Sequence, residues 1–425
     1  MARLQSRQIS HLHQYQVLHT VRLADGPVSR AEIAEATGLS QPAVSSLTRR
    51  LLESGALKEA GARPSSGSGR RERELEINGG FAWVIGVKLS MDHFTITVTD
   101  FAGRMRSSED VEWSTPVSPA ALLDALAAAV QRCLEDVPGL ERSRLAGVGV
   151  AVPGFVDSPH GRVLWSPVLT PEGTGADAPP LDDALSSRLD VPVFIENDAN
   201  MLALADQWYG RSGRASHVAV VTLEHGLGLG LVVNGELYRG HSGLAAELGH
   251  LQIEAQGRAC RCGKQGCLEA YVAHYAVAAA GQEAGLIAMD DHSSAAPERA
   301  YFRLAQLAHE GHAGAHAIFE KQGRLLGQWI GNVVNLMSPQ LVILSGGPPL
   351  ASDLFLPGLR VAMEQAMALP HRGKVPLVID HQGDEVWARG AASLVLQRVD
   401  ESAEIIESVA RHGFDRESNG RRPDF

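Results

Sequence analysis

Gly243-Leu-Ala-Ala-Glu247-Leu-Gly249-His250, nine further residues, and then Cys260-Arg-Cys262-Gly-Lys-Gln-Gly-Cys267-Leu-Glu269 form the stretch that decides how the chain is read. Three of the four cysteines crowd into this one loop, while Cys133 stands alone. Such clustering points to a metal before a disulfide. One imidazole and three thiolates, from His250, Cys260, Cys262 and Cys267, make a tetrahedral set suited to zinc. With all four positions filled the ion is structural, with no open catalytic position. Gly263 and Gly266 let the loop fold back so that Cys267 reaches the ion. The alternative is three free cysteines in a turn. His250 is the ligand that spacing specifies least, since a lone histidine beside a strand also serves as an ordinary core or surface residue.

Upstream of the loop, Glu196-Asn197-Asp198-Ala199-Asn200 marks a strand giving way to a helix. Asn197 and Asp198 then sit at the strand's carboxyl end, where α/β sheets bind ligands. A carboxamide beside a carboxylate can donate to and accept from adjacent hydroxyls of a sugar ring. Glu247, His250 and Glu269 add two carboxylates and an imidazole, and the ion would hold their segments together. Singly, each acidic residue reads as a cap or a solvated charge; their convergence makes the sugar site.

The surroundings are short Val/Ile-rich strands alternating with Ala/Leu-rich helices, the pattern of an α/β domain. Strands are expected at 83–88, 95–99, 147–152, 193–195, 218–223, 230–233, 341–345 and 377–379, with a helix over 119–135. Stretches 170–180 and 287–297 read as insertions or mobile loops, and 401–425 as a polar C-terminal tail.

Ahead of residue 79 the texture differs. A helix over about 7–23 ends at Gly26-Pro27. A second helix starts after Ser29, with Glu32 completing a capping box. Gly38 supplies a turn, and Ser40 caps a third helix over 41–54 with Pro42 in its first turn. Alternating residues at 56–59 and 74–77 flank a Ser/Gly/Arg-rich loop, which makes a wing. This is a winged helix-turn-helix over 1–78, which lays its third helix in the major groove of DNA. Ser40, Gln41, Ala43, Ser45, Ser46, Thr48 and Arg49 are short or polar enough to approach bases and phosphates there, with Arg70 and Arg71 reaching from the wing. The alternative is a three-helix protein-binding module.

Charge favours DNA. The net charge is −11. The first 73 residues nevertheless carry eleven Lys/Arg against six Asp/Glu, a surplus of five that leaves −16 on the remainder. A basic head on an acidic body is the asymmetry expected when one end meets phosphate. No apolar run is long enough for a bilayer and no secretory signal opens the chain, so no membrane partner and a cytoplasmic address are expected.

The helix-turn-helix, Gly147-Val-Gly-Val-Ala-Val-Pro153-Gly154, Glu196 to Asn200, and above all His250 to Glu269 resemble the ROK family of bacterial sugar-responsive repressors and sugar kinases. The resemblance implies a winged helix-turn-helix followed, over 79–400, by a two-lobed actin-like/hexokinase-type (ribonuclease H-like) domain with its hinge near 198. It implies sugar contacts at Asn197, Asp198, Glu247, His250 and Glu269, and makes Asp198 the general-base position of the kinases. Kinase members also need loops that cradle ATP phosphates. The first, which should read like Asp-x-Gly-Gly-Thr, is here Lys88-Leu-Ser90-Met91-Asp92. The second, which should begin Gly-Thr-Gly, is Glu224-His225-Gly226. A tryptophan expected soon after 166–169 is replaced by Pro171-Glu-Gly-Thr-Gly175. The expected protein is therefore a zinc-containing regulator without enzyme activity, a homodimer or dimer of dimers that binds operator DNA under control of a monosaccharide or sugar-phosphate effector. The alternatives are a sugar kinase with an appended DNA-binding head and a zinc scaffold without sugar affinity.

Overall fold

The computed structural model describes residues 2–64, 71–213, 215–288, 293–346 and 351–417. The head comprises α1 (Ala2–Arg22), β1 (Val28–Ser29), α2 (Arg30–Thr37), α3 (Gln41–Glu53), β2 (Leu57–Pro64) and β3 (Arg71–Ile77). The capping box forms: Ser29 Oγ accepts from the Glu32 amide while Glu32 reaches back to the Ser29 amide. Gly38 ends α2 in the left-handed conformation, and Ser40 caps α3. β2 and β3 pair antiparallel from Leu57↔Ile77 to Pro64↔Arg71, so the wing strands run further than their alternating sequence suggests.

The body follows. Its first lobe holds β4 (Trp83–Leu89), β5 (His93–Asp100), β6 (Met105–Glu112), α4 (Pro119–Asp136), β7 (Leu145–Val152), β8 (Phe155–Asp157), β9 (Arg162–Trp165), α5 (Leu181–Leu189) and β10 (Val193–Asn197). From it α6 (Asp198–Tyr209) leads into the second lobe. That lobe holds β11 (Val218–Leu223), β12 (Leu227–Val233), β13 (Glu236–Leu237), α7 (Glu269–Val272), α8 (His274–Glu283), α9 (Ala296–His309), α10 (Ala313–Met337), β14 (Leu341–Ser345), α11 (Ser352–Ala366) and β15 (Leu377–Asp380). Each lobe has a five-stranded mixed sheet, ordered β10-β7-β4-β5-β6 and β13-β12-β11-β14-β15. The chain then recrosses as α12 (Asp384–Glu401) and ends in α13 (Ala403–Glu417).

α12 settles on the first sheet because the sequence clears a bed for it. All eight residues of β7 are buried. Its valines at 148, 150 and 152 face the core beneath α4, while Gly149 lies beside Gly86 of β4. A Cβ at Gly149 would stand 2.0 Å from the Ala391 carbonyl oxygen, and one at Gly86 1.8 Å from that of Ala388. Helix and sheet therefore pack backbone to backbone.

Two expectations need correction. Residues from 401 onward do not begin a polar tail: α13 forms, with Ile406 and Val409 buried against the first lobe, because its few apolar residues fall on one helical face. The 287–297 stretch is partly helical, since α9 starts at Ala296; residues 289–292 lie outside the described ones. Nor is the head a separate bead. Val17, Leu18 and Val21 of α1 belong to the same apolar core as Phe101, Trp208 and Val395 of the body. Among the described residues no helix is long and apolar enough to cross a membrane.

The close approach of α12 makes a definite prediction. Gly149→Val places branched carbons where a carbonyl already stands, and overpacking of this kind costs about 1–3 kcal/mol or more. A clear fall in melting temperature or in soluble yield is expected, whereas Gly26→Ala, with open space around its Cβ position, changes the melting temperature far less.

Candidate functional site

His250, Cys260, Cys262 and Cys267 converge, their ligand atoms all within 4.8 Å of one another. The Cys262 and Cys267 sulfurs are 3.8 Å apart, and Cys260 Sγ is 3.6 Å from His250 Nδ1. Zinc–sulfur bonds of about 2.3 Å in a tetrahedron put two sulfurs about 3.8 Å apart, so donor set and spacing both fit that ion. Burial, and after it the Lys264 ammonium, pulls His250 down to about 4. The imidazole is thus neutral, as a ligand must be.

The loop turns at Gly266, where a Cβ would meet the Glu254 carbonyl oxygen at 1.7 Å. Immediately after Cys267, Glu269 starts α7 and its Oε2 accepts from the Leu227 amide at 3.2 Å. The metal loop thereby fixes a carboxylate against β12. On its other side His250 packs edge-on to Phe155 and Trp165, with ring centroids 4.8 and 6.1 Å away.

Asn197, Asp198, Glu247, His250 and Glu269 all line one cavity between the lobes that opens to solvent. Asn197 divides its work: Oδ1 caps α6 by accepting from the Asn200 amide and Nδ2 donates to the Gly154 carbonyl, leaving one amide hydrogen for the cavity. Asp198 is pushed up to about 7, chiefly by burial, with Lys88 opposing and Glu224 adding to the rise. Glu247 is pushed up to about 8 by burial and then by the Asp198 and Glu269 charges. Near neutral pH such a set, partly protonated, can both donate hydrogen bonds to hydroxyls and accept them.

The opposite end of the cavity is filled by ion pairs. Lys88, only 3% exposed, holds Glu224 at 2.8 Å and Asp384 at 2.6 Å, and its ammonium lies 4.0 Å from the Trp387 ring centroid. Burial works against this charge, yet Glu224 and Asp384 keep its pKa above the ordinary lysine value. Asp384 also accepts from Ser90 and pairs with His93, which its hydrogen bond pushes up to about 9. His225 turns to Glu298, 2.9 Å away. Sequence reading marked Lys88 and Glu224 as departures but missed that they pair, and missed Asp384 and Trp387 altogether. Trp165, just before the stretch where an aromatic is absent, lines the cavity as well, and so does Arg261.

On the head, Ser40, Gln41, Ser45, Ser46 and Arg49 are exposed along α3 and Ala43 is half-buried. Thr48 is a correction. It is fully buried, donating to the Val44 carbonyl and accepting from Arg30 Nε at 2.8 Å. Residues 44, 47, 48 and 51 recur at helical spacing, so Thr48 belongs to the core face despite its hydroxyl. Arg73 is committed to Glu59. Arg70 and the side chain of Arg71 lie outside the described residues.

A head with a helix-turn-helix and wing, fused to two kinase-like lobes around a cleft beside a His/Cys cluster that could hold a metal ion, defines a regulator-type architecture. The chain belongs to the ROK family, whose model matches residues 84–398, and residues 9–71 match the MarR family model. It is 31% identical to the DNA-binding transcriptional dual regulator NagC of Escherichia coli over 88% of this chain and 90% of that one. It is 27% identical to the xylose repressor of Caldicellulosiruptor bescii, over 91% and 96% respectively. A ROK family glucokinase from Streptomyces griseus, solved with glucose and AMPPNP, aligns at TM-score 0.61 and 27% identity over 74% of this chain and 99% of its own.

Two outcomes follow from the site. Cys262→Ser removes one thiolate, so metal analysis of the purified variant is expected to find far less zinc than in the wild type, together with a lower melting temperature. The raised Asp198 and Glu247 favour the folded state while protonated; that contribution is complete below about pH 4 and lost as pH rises through about 7 and 8. The ligand-free melting temperature should therefore decline from pH 5.5 to 8.5, and Asp198→Asn should flatten part of that slope.

Proposed function

We propose that the chain is a sugar-responsive transcription regulator: a repressor that binds operator DNA through α3 and the wing and responds to a monosaccharide, or its phosphate, held between the lobes. The observation that carries this reading is the division of the cleft. One end gathers Asn197, Asp198, Glu247, His250 and Glu269 around an open cavity. The other is closed by Lys88 between Glu224 and Asp384. Hydroxyls are served where the first group stands; ATP phosphates find carboxylates where a kinase needs glycine amides. Asp198 on this reading binds the sugar without activating it for transfer, and the chain is not an enzyme.

Zinc serves as a structural cofactor that braces His250 and Glu269 as sugar contacts. The protein works in the cytoplasm as a homodimer or dimer of dimers, an arrangement that would present two heads to paired half-sites of DNA. Ser40, Gln41, Ala43, Ser45, Ser46 and Arg49 face the DNA, with Arg70 and Arg71 from the wing. The names of the NagC dual regulator and the xylose repressor support the class, and the glucokinase bound to glucose supports sugar as the ligand of such a cleft.

A gel shift on the gene's own upstream DNA, repeated with hexoses, pentoses, amino sugars and their 6-phosphates, tests this. Release or tightening by one compound is expected; no retardation of DNA, or no response to any sugar, contradicts it. Within the same assay Gln41→Ala and Arg49→Ala should each weaken binding by about 1–3 kcal/mol, roughly 5- to 150-fold, while Thr48→Ser leaves it nearly unchanged.

A further inference from the structure

Two helices that begin at the cleft end beneath the DNA-binding head. α6 starts at Asp198 in the cavity wall and closes with Trp208 and Tyr209. α12 starts at Asp384, carries Trp387 in the same wall, and reaches Asp400 in its last turn. At 1.5 Å per residue their 12 and 18 residues span about 18 and 27 Å, the distance that a signal from cleft to head must cover. They are bound to each other on the way. Gly390 of α12 meets the Met201 carbonyl of α6 so closely that a Cβ would stand 2.0 Å from it. Arg389 lies 3.4 Å from the Tyr209 ring centroid, and Ser393 donates to the Tyr209 hydroxyl.

At the far ends both helices meet one side chain of α1. Arg22 donates from Nε and Nη2 to the two Asp400 oxygens, at 3.0 and 2.7 Å, and from Nη1 to the Phe101 carbonyl. Its guanidinium lies over the Phe101 and Trp208 rings, 4.7 and 5.6 Å from their centroids. The pair is sealed from water, with side chains 1% and 0% exposed. Trp208 also presents its edge to His19, 5.7 Å away. Beyond this clasp the head stands off: a groove open to solvent separates Val28, Glu32 and Ala36 from Gly210, Gly213, Ala215 and Ser216 of the body. The head is thus gripped along α1 and free of close packing on its α2 side.

We infer that Arg22, clasped by Asp400 and Trp208, is the positioning residue through which the cleft sets the orientation of α2 and α3 for DNA. A ligand that moves Asp198 relative to Asp384 moves the N-termini of two rigid helices, and their C-termini turn α1 about the clasp into or out of the open groove. A buried bidentate pair suits the task because it holds one geometry. Coupling then requires only that ligand and DNA favour different orientations of the same joint. The inference rests on the cleft being the sugar site.

The test uses the full-length protein and its own upstream DNA, with D-xylose, D-glucose, N-acetylglucosamine and N-acetylglucosamine 6-phosphate as probes. Sugar affinity of the free protein is read by calorimetry, and DNA affinity with and without saturating sugar by fluorescence anisotropy. Arg22→Glu, which sets like charges against each other, is expected to leave sugar affinity within twofold of wild type while the sugar-induced change in DNA affinity collapses to less than twofold. Arg22→Glu combined with Asp400→Arg is expected to restore much of that change. Should Arg22→Glu fail to fold, Trp208→Leu keeps the core apolar, and a reduction of at least threefold in the same ratio is expected. Wild-type ratios in the variants that fold would overturn the inference. A wild-type protein whose DNA affinity ignores every probe would overturn the sugar reading beneath it, and the inference with it.

Discussion

Lys88 between Glu224 and Asp384 is the interaction on which the character of the cleft depends. An ammonium so nearly shut off from water is tolerable only with carboxylates at contact distance, because burial of an unpaired charge costs several kcal/mol. The requirement propagates. Asp384 must stay ionised, which the Lys88 ammonium secures first against its own burial, helped by protonated His93 and then by Ser90. The two partners also come from different parts of the fold, Glu224 from the end of β11 and Asp384 from the start of α12, so one lysine ties both lobes to the helix that recrosses between them. A phosphate arriving here would have to displace these pairs and face two carboxylates.

The metal loop organises the other half by the same logic of enforced proximity. After burial, the Asp198 and Glu269 charges raise the pKa of Glu247, so the three carboxylates would lower their energy by moving apart. The cysteine loop prevents that for Glu269, which follows Cys267 by two residues and is bonded to the Leu227 amide. His250 joins the two functions, its Nδ1 turned toward Cys260 and its ring packed on Phe155 and Trp165 at the cavity edge. Carboxylates held close in a partly buried cleft store an electrostatic cost that hydroxyl donors of a ligand would relieve.

What the sequence made legible was local. The spacing from His250 to Cys267, the capping box at Ser29 and Glu32, and the glycine turn at Gly38 are each written within a few residues, so chemistry and geometry can be read together. The change of texture between the last wing strand, ending at Ile77, and β4, starting at Trp83, belongs with them. What escaped depends on residues far apart or on periodicity overriding residue type. Lys88 stood out as an anomaly, but its partner Asp384 lies 296 positions away. Arg22 meets Asp400 across 378 positions. Thr48 has the chemistry of a DNA contact and the helical position of a core residue, and position won. The residues beyond 401 look polar on average, yet Ile406 and Val409 suffice to seat a helix once a neighbouring surface exists.

The proposed cleft accommodates sugar and refuses nucleotide. Isothermal titration of the purified protein with magnesium AMPPNP, in the presence and absence of D-glucose, addresses that most directly. No nucleotide binding up to millimolar concentration in wild type is expected. Micromolar nucleotide affinity, or heat that grows when glucose is present, would contradict the claim that Lys88 and its carboxylates occupy the phosphate end.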